Sequence, residues 1–170
     1  ARHLIDKEGG VSKAIKVFNR SSDKKSDYTP SKVNEVSSGY IYSNILKKVF
    51  NIDYDFEDYD RAASLFWPSN KVGNGSEDII KYWSSLKNIF SEINFTVEHV
   101  ASLDEKNNNQ KATIRWFLSG KHSKDSEEFG KKTDKDLFIM GINHAELRDD
   151  KIIREWVLFD EVAIWKQILM

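Results

Sequence analysis

The feature that most limits what this chain can fold into is a change of apolar period near residue 93. Before it, large apolar residues recur every three or four positions; after it they alternate every second position. Ile41, Ile45, Leu46 and Val49 trace one helix face. Phe56, Tyr59, Ala62, Ala63 and Phe66 trace a second, stopped by Pro68, and Ile79, Ile80, Trp83, Leu86 and Phe90 a third. Ser76 is the expected N-cap of that third helix, after the Gly73-Asn-Gly75 turn and ahead of Glu77 and Asp78. Beyond residue 93, Phe95, Val97 and His99 alternate with Thr96, Glu98 and Val100, and Ala112, Ile114, Trp116 and Leu118 with Thr113, Arg115, Phe117 and Ser119. Asp104 to Gln110 reads as a polar turn and Lys121 to Asp136 as a charged arm. Two further strands, Leu137–Leu147 and Ile152–Phe159, flank a tight turn at Asp149-Asp150. Val162, Ile164, Trp165 and Ile168 close the chain as a strand or a short helix. Helices followed by consecutive antiparallel strands make an α+β domain.

The first residues stand apart. Gly9-Gly10 precedes a short amphipathic stretch (Val11, Ala14, Ile15, Phe18), then the aperiodic polar run Arg20–Asp27, closed by Pro30. Residues 1–37 are therefore expected to form a helical and linker extension, and residues 38–170 the domain. A start at Ala1 rather than Met is compatible with a leader already removed; the expected location is cytoplasmic, since nothing reads as a signal peptide.

Composition removes whole classes of function. There are no cysteines, which rules out disulfide scaffolds, thiol catalysis and zinc–thiolate sites. Twenty-six basic against 27 acidic residues give a net charge of -1, so electrostatics offers no reason to expect nucleic acid or a membrane as partner. Five Trp, ten Phe and six Tyr are a surplus that serves equally to fill a core or to wall a cavity.

Several motifs fail on inspection. The run Asp53-Tyr-Asp-Phe-Glu-Asp58 starts like a calcium loop but lacks the glycine at its sixth position and has Ser64 at its twelfth. His144-Ala-Glu146 has the spacing of a deaminase signature, which without cysteines cannot complete a zinc site. No metal site and no cofactor site is expected.

Asp160 is the notable carboxylate. It ends the apolar strand Trp156-Val-Leu-Phe-Asp160 and shares a face with Trp156 and Leu158. Aromatic walls would raise its pKa by desolvation, as a general base near neutrality requires. Spacing alone slightly favours the other role, N-cap of the segment Glu161–Leu169. Whether His144 can reach Asp160 depends on the turn. A two-residue loop at Asp149-Asp150 pairs residue 148 with 151 and puts His144 on the opposite face. A three-residue loop over 148–150 pairs 147 with 151 and puts His144 on the same face as Trp156 and Asp160.

The C-terminal half resembles a known family. Arg115-Trp-Phe-Leu-Ser-Gly-Lys-His122, Gly130-Lys-Lys-Thr-Asp-Lys135, Gly141-Ile142, Asp150-Lys-Ile-Ile-Arg-Glu-Trp156, Asp160 and Gln167-Ile-Leu169 look like the SnoaL-like polyketide cyclases of the NTF2-like superfamily. Lys132-Thr-Asp134, Asp149-Asp150 and Met170 after Gln167-Ile-Leu169 depart from the family's usual line, and none touches the Trp156 to Asp160 spacing. The resemblance covers about residues 40–169. It implies an α+β cone, N-terminal helices packed into a strongly curved antiparallel sheet around a deep apolar pocket, commonly as a homodimer. It favours the three-residue loop. It also implies a lyase, isomerase or cyclase acting on a small apolar carbonyl compound without metal or cofactor. In that reading Asp160 is the general base, His144 or His122 assists, and Trp156, Trp116, Trp83, Leu158 and Ile142 line the substrate site. Because fold does not fix function, the same resemblance also fits a non-catalytic ligand-binding or dimerisation module.

Overall fold

The structure is a computed structural model that describes residues 37–51, 54, 56–104 and 110–170. The N-terminal extension, Asp53 and Asp55 of the calcium-like run, and residues 105–109 of the polar turn lie outside the described residues. Nine elements follow in order: α1 Ser38–Asn51, β1 Tyr59–Trp67, β2 Lys71–Asn74, α2 Ser76–Asn88, β3 Phe90–Asp104, β4 Gln110–His122, β5 Asp136–Arg148, β6 Lys151–Phe159 and α3 Glu161–Leu169. The six strands form one sheet in the order β2-β1-β6-β5-β4-β3.

One predicted helix is a strand. The helical spacing of Tyr59, Ala63 and Phe66 counts Phe66, which is not on the buried face; Tyr59, Ala63, Leu65 and Trp67 are the buried set, and beyond Ala63 they alternate. The register of β1 on β6 shifts between Tyr59 and Ser64, and this irregularity disguises the strand period. β1 runs parallel to β6, so the sheet is mixed rather than wholly antiparallel. The predicted N-cap is displaced by one residue: Gly75, at φ 79°, caps α2, a conformation that suits glycine.

The β5–β6 hairpin decides the faces. Asp149 and Asp150 both have positive φ and Arg148 pairs with Lys151, a two-residue turn rather than the three-residue loop. Two residues on, Leu147 pairs with Ile152 but Glu146 with Arg154, so Ile153 is an inserted bulge residue. The bulge moves the register by one, and His144 faces Trp156 after all. A short turn plus a bulge reaches the facing expected of the longer loop.

Inward-pointing residues are those that α1 and α2 cover. On β4 they are Ala112, Ile114, Trp116 and Leu118, on β5 Leu137, Ile139, Asn143, Ala145 and Leu147, and on β6 Ile152, Glu155, Val157 and Phe159. Tyr42, Ile45, Leu46, Val49 and Phe50 of α1 and Ile79, Trp83 and Leu86 of α2 pack against them. Burial of this apolar set, at about 25 cal/mol per Å², is the main stabilising term. Among the described residues no helix is long and apolar enough to cross a membrane.

Candidate functional site

The interior holds a carboxylate that the sequence reading passed over. Glu155 occupies an inward slot of β6 between Ile152 and Val157 and is fully buried. Four side chains donate to it. The Tyr42 hydroxyl and the Asn143 Nδ2 (3.0 Å) bind Oε1, while the Tyr59 hydroxyl (2.7 Å) and, more loosely, the Trp83 indole N–H (3.4 Å) bind Oε2. The network extends outward: Asn143 Nδ2 also donates to the Tyr42 hydroxyl at 3.0 Å, and the Trp116 indole N–H donates to Asn143 Oδ1 at 2.8 Å. Trp116 reaches Asn143 because the residue it pairs with on β5 is Gly141, where a Cβ would stand 2.1 Å from the indole ring.

Burial drives the electrostatics. Desolvation pushes the Glu155 carboxyl above its ordinary value, and the hydrogen bonds from Tyr42, Tyr59, Trp83 and Asn143 oppose that rise. The Tyr42 and Tyr59 phenols are held well above theirs, first by burial and then by the neighbouring Glu155. Both hydroxyls therefore stay protonated and act as donors. Around the network the aromatic rings are close-packed. Trp83 meets Phe50 edge-on at 5.6 Å and Trp67 at 5.0 Å, and Phe50 stacks on Phe95 at 4.3 Å. Beside Trp83 a cavity of about 140 Å³ opens between α1, Tyr54, Phe56 and α2, room for a few waters rather than a polycyclic substrate.

The predicted site residues are divided between the two faces of the sheet. Trp83 and Trp116 are in the interior network. Asp160, His144, Trp156, Leu158 and Ile142 point the other way. Asp160 is exposed and caps α3, its Oδ1 accepting the Ala163 N–H at 3.0 Å. An apolar groove of about 400 Å³, lined by Met140, Ile142, Leu158 and Phe159, runs up to it. His144 lies four residues of strand away, roughly 13 Å at the usual strand rise, so the two do not share a proton. Its Nδ1 sits 3.1 Å from the Thr113 hydroxyl and its ring is 5.4 Å from Trp156, which in turn stacks on Phe66 at 5.2 Å. His122 is elsewhere again, buried at the end of β4 with Nδ1 3.2 Å from the Thr133 hydroxyl; desolvation lowers its pKa.

Two signals pointed to the missed residues. Glu155 and Asn143 are polar residues in slots where alternation demands apolar ones, but β6 shows this only once the bulge at Ile153 is known. In a wider cleft of about 550 Å³ between α2 and residues 124–128, Glu128 is paired with Lys71 and accepts from the Ser85 hydroxyl (2.9 Å). Among the described residues no three His, Asp or Glu side chains converge as metal ligands would.

Known proteins share this fold. IdmH of Streptomyces antibioticus, named a polyketide cyclase candidate, superposes with a TM-score of 0.64 at 14% identity, over 78% of this chain and 99% of its own. A candidate SnoaL-like polyketide cyclase of Shewanella putrefaciens CN-32 gives 0.62 at 16% identity, over 89% and 94%. AclR of Streptomyces galilaeus, named a hydroxylase candidate, gives 0.62 at 10% identity, over 77% and 83%. These likenesses establish the fold and, given their different names, no single reaction. No curated protein matches the sequence. The SnoaL-like polyketide cyclase pattern matches residues 57–168, from just before β1 to the last turn of α3. This chain thus belongs to the SnoaL-like polyketide cyclase family.

Proposed function

We propose that this chain works as a self-associating module of the SnoaL-like fold, with a second copy of itself on the uncovered sheet face. One observation carries the reading: the interior carboxylate is enclosed by aromatic rings and four donors, while the opposite face leaves large apolar side chains in water. Leu158 is 66% exposed, Met140 61%, Phe138 54% and Ile142 46%, all pointing outward from β5 and β6. Four such side chains amount to roughly 400 Å² in one patch, the size at which an apolar surface marks an interaction site. Half-buried Phe66, Phe117 and Trp156 extend it toward the roughly 800 Å² per partner of a stable interface. At one margin stand the Arg115–Glu98 (3.1 Å) and Arg154–Glu146 (2.8 Å) pairs. A patch with an apolar centre and both signs of charge at its margin is complementary to itself, as a twofold interface requires.

A second reading has its own support. The interior offers what enolate chemistry on a small apolar carbonyl compound needs: a carboxylate of raised pKa beside two phenol donors. In that reading the proton-handling group is Glu155, and Asp160, His144 and His122 have no part in the chemistry.

Sedimentation equilibrium tests the first. The wild type is expected to be a dimer, and Leu158→Glu, placing one charge per copy in the patch, a folded monomer. A wild type that stays monomeric at tens of micromolar overturns the module. Native mass spectrometry against small ketones and aldehydes supplies the other arm. A bound compound that is turned over by the wild type and not by Glu155→Gln puts the acid–base enzyme in its place.

A further inference from the structure

The outward face is crossed by a transverse row, one residue from each of four adjacent strands: Phe66, Trp156, His144 and Thr113. His144 is the one titratable member. One row away toward α3 stand Leu158 and Ile142, and one row the other way the Arg154–Glu146 pair. We propose that self-association through this face is acid-labile, His144 being the group whose protonation separates the copies; this rests on the module reading above.

The reasoning is one of desolvation. In the single copy His144 is half-buried on the uncovered face. Its Nδ1 has a partner, the Thr113 hydroxyl, whose proton position adapts to either state of the ring. A second copy seated on Ile142, Leu158 and Trp156 would exclude water from His144. A neutral imidazole among those side chains costs little, whereas an imidazolium buried without a carboxylate of its own costs several kcal/mol. The charged neighbours do not supply that carboxylate. On β5, Glu146 is engaged by Arg154 of β6, whose guanidinium also lies over Trp156 at 5.8 Å. On β4, Arg115 is engaged by Glu98 of β3; Lys111 of β4 and His99 of β3, in the neighbouring rows, offer no carboxylate.

The expected size follows from linkage. With one proton taken up per copy on separation, the dissociation constant rises by at most about 100-fold per pH unit, and a rise of more than about tenfold is expected between pH 7.5 and 5.5. The test measures the dimer dissociation constant by sedimentation equilibrium at both pH values, with circular dichroism to confirm folding. The wild type should show that change and His144→Gln should dimerise at pH 7.5 with less than a threefold change. His144→Phe, which keeps a ring against Trp156, serves if the glutamine variant does not fold. A wild-type dimer whose constant is the same at both pH values overturns the proposal and leaves the module standing. An equal change in wild type and variants overturns it too, assigning the effect to another group. A wild type that is monomeric at pH 7.5 removes the module reading itself.

Discussion

Substituting Glu155 is the sharpest test of the sealed interior. Glu155→Ala takes away the acceptor for the Tyr42 and Tyr59 hydroxyls, the Trp83 N–H and one bond of Asn143. Asn143 keeps the Tyr42 oxygen at 3.0 Å, so the clear losses are two buried phenol donors. Each orphaned donor costs about 1–3 kcal/mol, and the vacated space adds roughly 1 kcal/mol more. Relief of the carboxylate's own desolvation offsets part of this, leaving a net loss of about 3–5 kcal/mol, a large share of a domain's stability. Glu155→Gln keeps the shape and one acceptor oxygen. It turns an amide toward Tyr59, whose oxygen can accept, and toward the Trp83 N–H, which cannot; about 1–2 kcal/mol should be lost. Urea unfolding followed by tryptophan fluorescence reads both, since Trp83 and Trp116 are part of the network, and the slope with denaturant should stay unchanged. The pH dependence has a definite sign. The folded-state pKa of Glu155 is raised, so its contribution is complete below the ordinary glutamate value of 4.5 and is lost as pH rises through the folded-state value. The gap between wild type and Glu155→Gln should therefore be widest at and below pH 4.5 and narrow as pH rises. A Glu155→Ala loss under 1 kcal/mol would falsify the argument, because it means water already reaches those donors.

Two other substitutions test neighbouring parts of the structure. Asp160→Ala should cost about 1 kcal/mol in thermal or urea unfolding, the usual worth of an N-cap, and Asp160→Asn much less; an Asp160→Ala variant as stable as the wild type would remove the capping role. Gly141→Ala forces a methyl group against the Trp116 indole and should destabilise by about 1–3 kcal/mol with a change in near-ultraviolet dichroism, whereas an unperturbed spectrum would contradict the contact.

The sequence alone carried the order of strands β3 to β6, the turn at Asp149-Asp150 and the family, and left the last segment open between strand and helix. These are local or patterned properties: alternation, turn residues and short motifs survive without knowledge of packing. α1 and α2 were legible for the same reason, since each stripe keeps one helical spacing throughout. β1 was not, because its irregularity near residues 60–63 leaves the buried Tyr59 and Ala63 four positions apart, a helical step. The hairpin shows the limit most clearly. Strand period says that His144, Trp156 and Asp160 can share a face, but not which face that is. One bulge residue, Ile153, sets the register, and a register step of one sends every side chain of a strand to the other side. Which face α1 and α2 cover was then decided by tertiary packing. That packing put Glu155 and Asn143 inside with Tyr42, Tyr59 and the two indoles, and left Asp160 outside as a helix cap. Side-chain identity and spacing belong to the chain, whereas burial belongs to the assembled layers, and it is burial that gives a carboxylate its chemistry.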